Sequence, residues 1–267
     1  GVCEKPRVKC SECRNQAFRP LDEIAAKKHL LGHITIGTYA IREDDTCVFL
    51  ACDFDGTNWS DDVMVYRRVG MELGVDVAVE RSRSGNGAHA WIFFSEAVPA
   101  RLARVLGTML LAHTTDHRQE LGVKSFDRFF PSQDTLPTTR HGFGNLIALP
   151  LQKVPRDNGN SVFVDEHMQP HANQWAYLAQ VRCLSLQDLR SLVRGVLAAA
   201  KDGGLAADRE LETDRAMIEN EERVLKLPVP MELTLTRDEQ IHIPISGMPA
   251  GLISRLKRLT TFPNPRF

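Results

Sequence analysis

Cys47-Val48-Phe49-Leu50-Ala51-Cys52-Asp53-Phe54-Asp55-Gly56 is a nearly unbroken apolar run that ends in two aspartates one residue apart. Its continuity predicts a central strand over residues 47–54, covered on both faces. Side chains alternate along a strand, so Asp53 and Asp55 point the same way. Two close carboxylates repel, and buried carboxylates need a partner. A divalent cation supplies one, and Mg²⁺ is commonly held by one or two carboxylates plus substrate phosphates. The plainer reading is a solvated strand end, with Gly56 opening a turn.

Outward from that run, strand and helix patterns alternate. Residues 59–73 have the spacing of a helix, and residues 75–80 and 88–94 read as strands. The loop between those strands is Arg81-Ser82-Arg83-Ser84-Gly85-Asn86-Gly87, followed by Ala88-His89. Glycines allow close backbone approach to an anion, and successive N–H groups can form a nest. Arg81 and Arg83 add charge suited to phosphate. A simple hairpin turn at Asn86-Gly87 is the plain alternative.

Residues 99–113 predict a helix, and 126–131, 145–151 and 161–165 short strands. In Ser125-Phe126-Asp127-Arg128-Phe129-Phe130-Pro131, Asp127 is a candidate third carboxylate; its plain reading is a salt bridge to Arg128. Asp165, at the end of Val162-Phe163-Val164-Asp165, is held in reserve. Asn145 is the polar candidate on the strand after the loop Gly142-Phe143-Gly144. Helices are expected at 21–31, 174–179 and 185–201, a strand at 33–41 and a small hairpin over 231–245. Cys52, Cys183, Trp59, Trp91 and Trp175 read as core residues, with Trp59 the one to test for base stacking.

A chain of 267 residues accommodates one large or two modest domains. With 43% hydrophobic and 25% charged residues, it has the composition of an ordinary globular protein. A formal net charge of -1 gives no global case for nucleic-acid binding, so any basic groove is local. No apolar run approaches the ~18 residues of a membrane span, so no membrane partner is expected. The six cysteines lack the regular spacing of a secreted disulfide framework, which points to a reduced, cytoplasmic setting. The start at Gly1, without Met or a secretory signal, reads as an internal boundary.

Residues 1–20 contain Cys3, Cys10 and Cys13, three thiolates at zinc-knuckle spacing. His29 is the candidate fourth ligand, with His33, Cys47 or an upstream residue as alternatives. Lys5, Arg7, Lys9 and Arg14 would let such a knuckle hold a template or initiating nucleotide; its plain role is a staple for the N-terminal segment.

Taken together, these motifs resemble those of the archaeo-eukaryotic primase superfamily, the primase-polymerases. That superfamily carries an h-Asp-h-Asp motif, an s-x-His motif and an h-Asp motif. Here they match Ala51-Cys52-Asp53-Phe54-Asp55, Gly87-Ala88-His89 and Phe126-Asp127. The longer phrases at 80–89, 130–134 and 142–152 are similar to the primase domains of the TOTE conflict systems and to CRISPR-associated primase-polymerases. One departure is that the small residue two before the histidine is Gly87, with Ser84 five before.

The resemblance implies an α/β (α+β) fold: an RRM-like catalytic core with a second small α/β unit. It also implies an organisation of a knuckle at 1–20, a catalytic domain at 21–183 and a helical flank at 184–267. The implied activity is nucleotidyl transfer from NTP or dNTP to a 3′-hydroxyl on a single-stranded DNA template, with de novo primer synthesis in scope. Asp53, Asp55 and Asp127 would hold two Mg²⁺ or Mn²⁺ ions. Arg81, Arg83, Ser84, Gly85, Asn86, Gly87, His89 and Asn145 would line the nucleotide site. The segment 256–265 resembles the lead into a helicase, so a helicase or CRISPR-adaptation domain in the same longer chain is an expected partner. The competing classes are a zinc-containing nucleic-acid-binding module without catalysis and a metal-dependent nuclease.

Overall fold

The computed structural model describes residues 21–117, 125–136, 144–202, 234–235 and 241–242. Six helices and nine strands lie among them, in the order α1 (Glu23–Leu30), β1 (Gly37–Tyr39), β2 (Thr46–Asp55), α2 (Trp59–Glu72), β3 (Ala78–Arg81), β4 (Gly87–Pro99), α3 (Ala100–His117), β5 (Phe126–Phe130), β6 (Leu146–Ala148), α4 (Lys153–Arg156), β7 (Val162–Phe163), α5 (Gln174–Leu178), α6 (Leu186–Asp202), β8 (Thr234–Leu235) and β9 (Ile241–His242).

The main sheet has five strands in the order β5-β2-β4-β3-β7, every neighbouring pair antiparallel. The chain is thus a mixed α/β protein built on antiparallel sheets. β2 lies between two partners, as its continuous apolar run requires, and Leu50, Ala51 and Cys52 are fully buried. A second, two-stranded sheet pairs β1 with β6. The expected strand at 33–41 shrinks to Gly37–Tyr39, and the one at 145–151 to Leu146–Ala148.

One face of the main sheet carries Leu50, Cys52 and Phe54, and helices α2 and α3 cover it. Tyr66 of α2 accepts a hydrogen bond from the Cys52 thiol at 3.1 Å and meets the Phe54 ring edge-on at 5.5 Å. Leu102, Ala103, Leu106, Met109 and Leu110 recur at helical spacing along α3 and are buried. Burying a leucine such as Leu50 or Leu106 contributes about 1.5–3 kcal/mol. Asp61 and Asp62 sit in the first turn of α2, where acidic side chains favour the helix dipole.

The packed unit does not stop at residue 183. Ser185 caps α6, its Oγ accepting from Asp188 N at 3.1 Å. Leu189 and Val193, one turn apart, are fully buried, and α6 lies against α3. α6 therefore packs onto the core through Leu189 and Val193. Cys52 and Trp91 are buried as expected, whereas Cys183 and Trp175 are exposed, contrary to their reading as core residues. The charged stretch 205–226, whose composition reads as a surface helix, and the segment 256–265 lie outside the described residues, as does most of the hairpin at 231–245, of which β8 and β9 form an antiparallel pair. Among the described residues, no helix is long and apolar enough to cross a membrane.

Candidate active site

Register assembles the site. Across β2 and β4, Asp53 lies directly opposite His89, and Asp55 opposite Gly87. Across β4 and β3, His89 lies opposite Glu80. Directly opposed residues share a face, so Asp53, His89 and Glu80 form a row perpendicular to the strands. Arg128 of β5 extends that row on the far side of Asp53.

Asp127 joins through an irregularity. The β2–β5 pairing runs Asp53↔Arg128, then Phe54↔Phe126, which leaves Asp127 as the extra residue of a bulge. A bulge re-aims a side chain. Here it brings the carboxylates of Asp53, Asp55 and Asp127 within 4.8 Å of one another. Asp127 also takes its plain reading: Arg128 Nε donates to Asp127 Oδ2 at 2.6 Å, an exposed pair worth about 0–1 kcal/mol. Such a weak pair is readily exchanged for a stronger ligand.

Asp165 stands apart. It follows β7, at the opposite edge of the sheet from β5, and its Oδ1 accepts from the backbone N–H groups of His167 and Gln169. Those two hydrogen bonds, that of Gln169 foremost, hold its carboxyl below the usual range. The third acid of the cluster is Asp127.

Burial pushes the Asp53 carboxyl up; His89 opposes this, and the charges of Asp55 and Asp127 reinforce it. Three crowded oxygen donors, one of them partly desolvated, match a hard divalent cation. Gly87 makes the crowding sterically possible. A Cβ there would lie 2.7 Å from Phe54 O and collide with the Asp55 carboxylate. Asp55 is held from the other side, its N–H donating to Ser125 O at 2.7 Å. Ser125 Oγ in turn donates to the buried Asp62 of α2 at 2.6 Å.

His89 Nε2 is 3.6 Å from Asp53 Oδ1, and Nδ1 is 2.9 Å from Glu80 Oε2. Burial disfavours the charged ring, but the hydrogen bond and charge of Glu80, with Asp53 and Asp55, outweigh it and raise the histidine above its ordinary value. Glu80 is 2% exposed and is also bonded by Trp91 Nε1 at 2.9 Å and Ser161 Oγ at 3.2 Å.

The loop 82–87 is a tight hairpin connection: Ser82 N donates to Gly87 O, and Gly85, at φ +80°, bonds back to Ser82 O. Ser84 Oγ accepts from Asn86 N at 3.2 Å. Arg83 reaches Thr35 Oγ1 at 3.0 Å and is otherwise exposed. Arg81 is committed elsewhere, its guanidinium donating to the carbonyls of Gly159 and Met168 at 2.9 and 2.5 Å. These bonds tie β3 to the 159–168 segment. Asn145 is likewise engaged. Its Nδ2 donates to Phe129 O and its Oδ1 accepts from Ser132 N, spanning the cis Phe130–Pro131 bond.

Cys3, Cys10 and Cys13 lie outside the described residues. His29 is buried, with Nε2 2.9 Å from Pro150 O and Nδ1 accepting from Ile36 N at 3.1 Å, so neither nitrogen is left for zinc. Cys47 is buried in β2, and burial pushes its thiol up to about 12. His117, four residues after His113, lies 3.7 Å from Glu72 on the surface.

The motifs assign no site role to Glu80, although it opens the phrase 80–89, or to the Asp62–Ser125 link. A signal for Glu80 existed: a hairpin closed at Ser82 and Gly87 puts Glu80 opposite His89. Reading it required the loop geometry.

No curated protein matches the chain. The polymerase domain of Mycobacterium tuberculosis ligase D, in complex with DNA, matches at 20% sequence identity and a TM-score of 0.32. That match covers 60% of this chain and 54% of the other. The sequence profile of the archaeo-eukaryotic primase domain of TOTE conflict systems matches residues 1–192. The chain belongs to the TOTE archaeo-eukaryotic primase family.

Proposed function

We propose that the chain is a primase-polymerase catalytic domain that transfers nucleotidyl groups from NTPs or dNTPs to a 3′-hydroxyl on single-stranded DNA, with primer synthesis in scope. The observation that carries this reading is the convergence of Asp53, Asp55 and Asp127 within 4.8 Å, beside His89, in a chain of the primase family. These three aspartates would hold Mg²⁺ or Mn²⁺, which when bound supplies charge stabilisation to the attacking oxygen and the departing pyrophosphate. The protein contributes position and a fixed electrostatic frame. Asp53 and Asp55 aim their oxygens from a buried strand that cannot shift without breaking the sheet. His89 Nε2 faces the same space, and the loop 82–87 that leads into its strand would supply Arg83 and backbone N–H groups to an anionic tail. Arg81 and Asn145 support this arrangement by fastening the strands.

The test is synthesis on a single-stranded template with labelled NTPs and dNTPs, with and without primer, in Mg²⁺ or Mn²⁺. Extension products support the reading, and products formed without primer extend it to priming. Template degradation alone favours a nuclease, and binding without either product favours a non-catalytic module.

A further inference from the structure

Glu80 is buried more completely than any group of the acidic cluster, yet it bonds to His89 rather than to any of the three aspartates. A buried carboxylate without donors is costly, and this one has three, from β4 and from the segment after α4. Trp91 Nε1, a donor only, points at Oε2, so that oxygen acts as an acceptor. The His89 Nδ1 facing the same oxygen at 2.9 Å must therefore be the protonated nitrogen. That fixes the tautomer and the ring's rotation together. Nε2 is left turned toward Asp53 Oδ1, 3.6 Å away, a separation too long for a hydrogen bond. The ring is anchored at one nitrogen and uncommitted at the other, on the side of the acidic cluster.

We propose that Glu80 is a positioning residue that locks the His89 ring with Nε2 facing the cluster, and so sets the affinity for the triphosphate of the incoming nucleotide. This deepens the nucleotidyl-transfer reading of the same site and rests on it. Ser161 belongs to the device. Its Oγ donates to Glu80 Oε1, while its backbone bonds to Arg81 O and Leu151 N. The carboxylate is thus clamped from two elements before it holds the histidine. A purely structural role for Glu80, satisfying Trp91 and Ser161, would leave nucleotide affinity untouched.

Two measurements separate these roles. The first is steady-state incorporation by Glu80→Met, which keeps length but offers Nδ1–H only a weakly accepting thioether, and by Glu80→Gln, which keeps one oxygen. Glu80→Met is expected to raise KM for the triphosphate about tenfold or more, and Glu80→Gln to recover most of that loss. In a His89→Ala background, Glu80→Met is expected to cause no further rise, because both act through one ring. A Glu80→Met protein with lowered Tm but unchanged KM overturns the proposal, as do penalties that add in the double variant. The second measurement needs no variant and no activity. Imidazole ¹⁵N spectra of the wild-type protein are expected to show His89 protonated at Nδ1, with a slowly exchanging proton. A bare Nδ1 overturns the proposal even if the variants do not fold. Failure of the wild type to add nucleotides would instead remove the nucleotidyl-transfer reading, and the spectrum would still decide whether Glu80 sets the ring.

Discussion

Asp53 and His89 face each other across the β2–β4 ladder, with Nε2 3.6 Å from Oδ1, so one backbone register places an acid of the carboxylate cluster and an imidazole side by side. A slip of one residue would turn both to the helix-covered face. The buried row of Leu50, Cys52 and Phe54 prevents that slip, because exposing it would forfeit several kcal/mol of burial. The same apolar alternation that folds the sheet therefore aligns the site.

Asp127 and Asp165 should separate cleanly. Asp127→Asn is expected to lower nucleotide incorporation by at least about 100-fold, as loss of a charge aimed at the reacting centre does. Asp165→Asn, at the opposite edge of the sheet, is expected to leave incorporation at the wild-type rate. Matched single-turnover assays of the two proteins make the comparison.

In the metal-free protein, the acidic cluster works against the fold. The Asp53 carboxyl binds its proton more readily folded than unfolded, so stability falls as pH rises from the ordinary aspartate range through the raised value. His89, also raised, adds a fall of the same sign in its own, higher window. Asp53→Asn should thus increase the metal-free Tm at neutral pH. Mn²⁺ should stabilise the wild type, by about 2.7 kcal/mol at a hundredfold excess over Kd, and the variant far less. Thermal melts with and without the ion check both signs.

Gly87→Ala puts a methyl against Phe54 O and the Asp55 carboxylate. Backbone is on one side and a packed strand on the other, so relief requires moving β4 away from β2. The expected cost is about 1–3 kcal/mol of stability, with incorporation falling as Asp55 is displaced. Denaturant titration and incorporation assays on the purified variant measure the two effects.

Much of this site was legible in the chain because it is written locally. Asp53 and Asp55 share a face by strand alternation alone, and the apolar run before them specifies a central strand. What the sequence could not carry is what depends on pairing. Asp127 is named by its motif, but its approach to Asp53 and Asp55 arises from a bulge against β2, and no local pattern places that extra residue. Arg81 and Asn145 look like ligand-binding groups by type, yet each already bonds backbone groups distant in sequence, at 159, 168, 129 and 132. His29 fails as a metal ligand for the same reason, through Pro150 and Ile36. Polar residue type shows what a group can do; only its partners show whether it is free to do it.

Cys3, Cys10 and Cys13 lie outside the described residues, and with both His29 nitrogens hydrogen-bonded a zinc on those thiolates would need another fourth ligand. About one zinc per chain is expected on metal analysis, unchanged in His29→Gln. Near-zero zinc in the wild type would remove the knuckle, and loss of zinc in His29→Gln would contradict the hydrogen-bonded role of that ring.

The most direct test of the account is single-nucleotide incorporation on a primed single-stranded DNA template in Mn²⁺, comparing wild type with Asp53→Asn and Asp55→Asn at matched circular dichroism. The account predicts extension by the wild type and none above the no-enzyme background by either variant. A folded variant that retains near wild-type extension would contradict it.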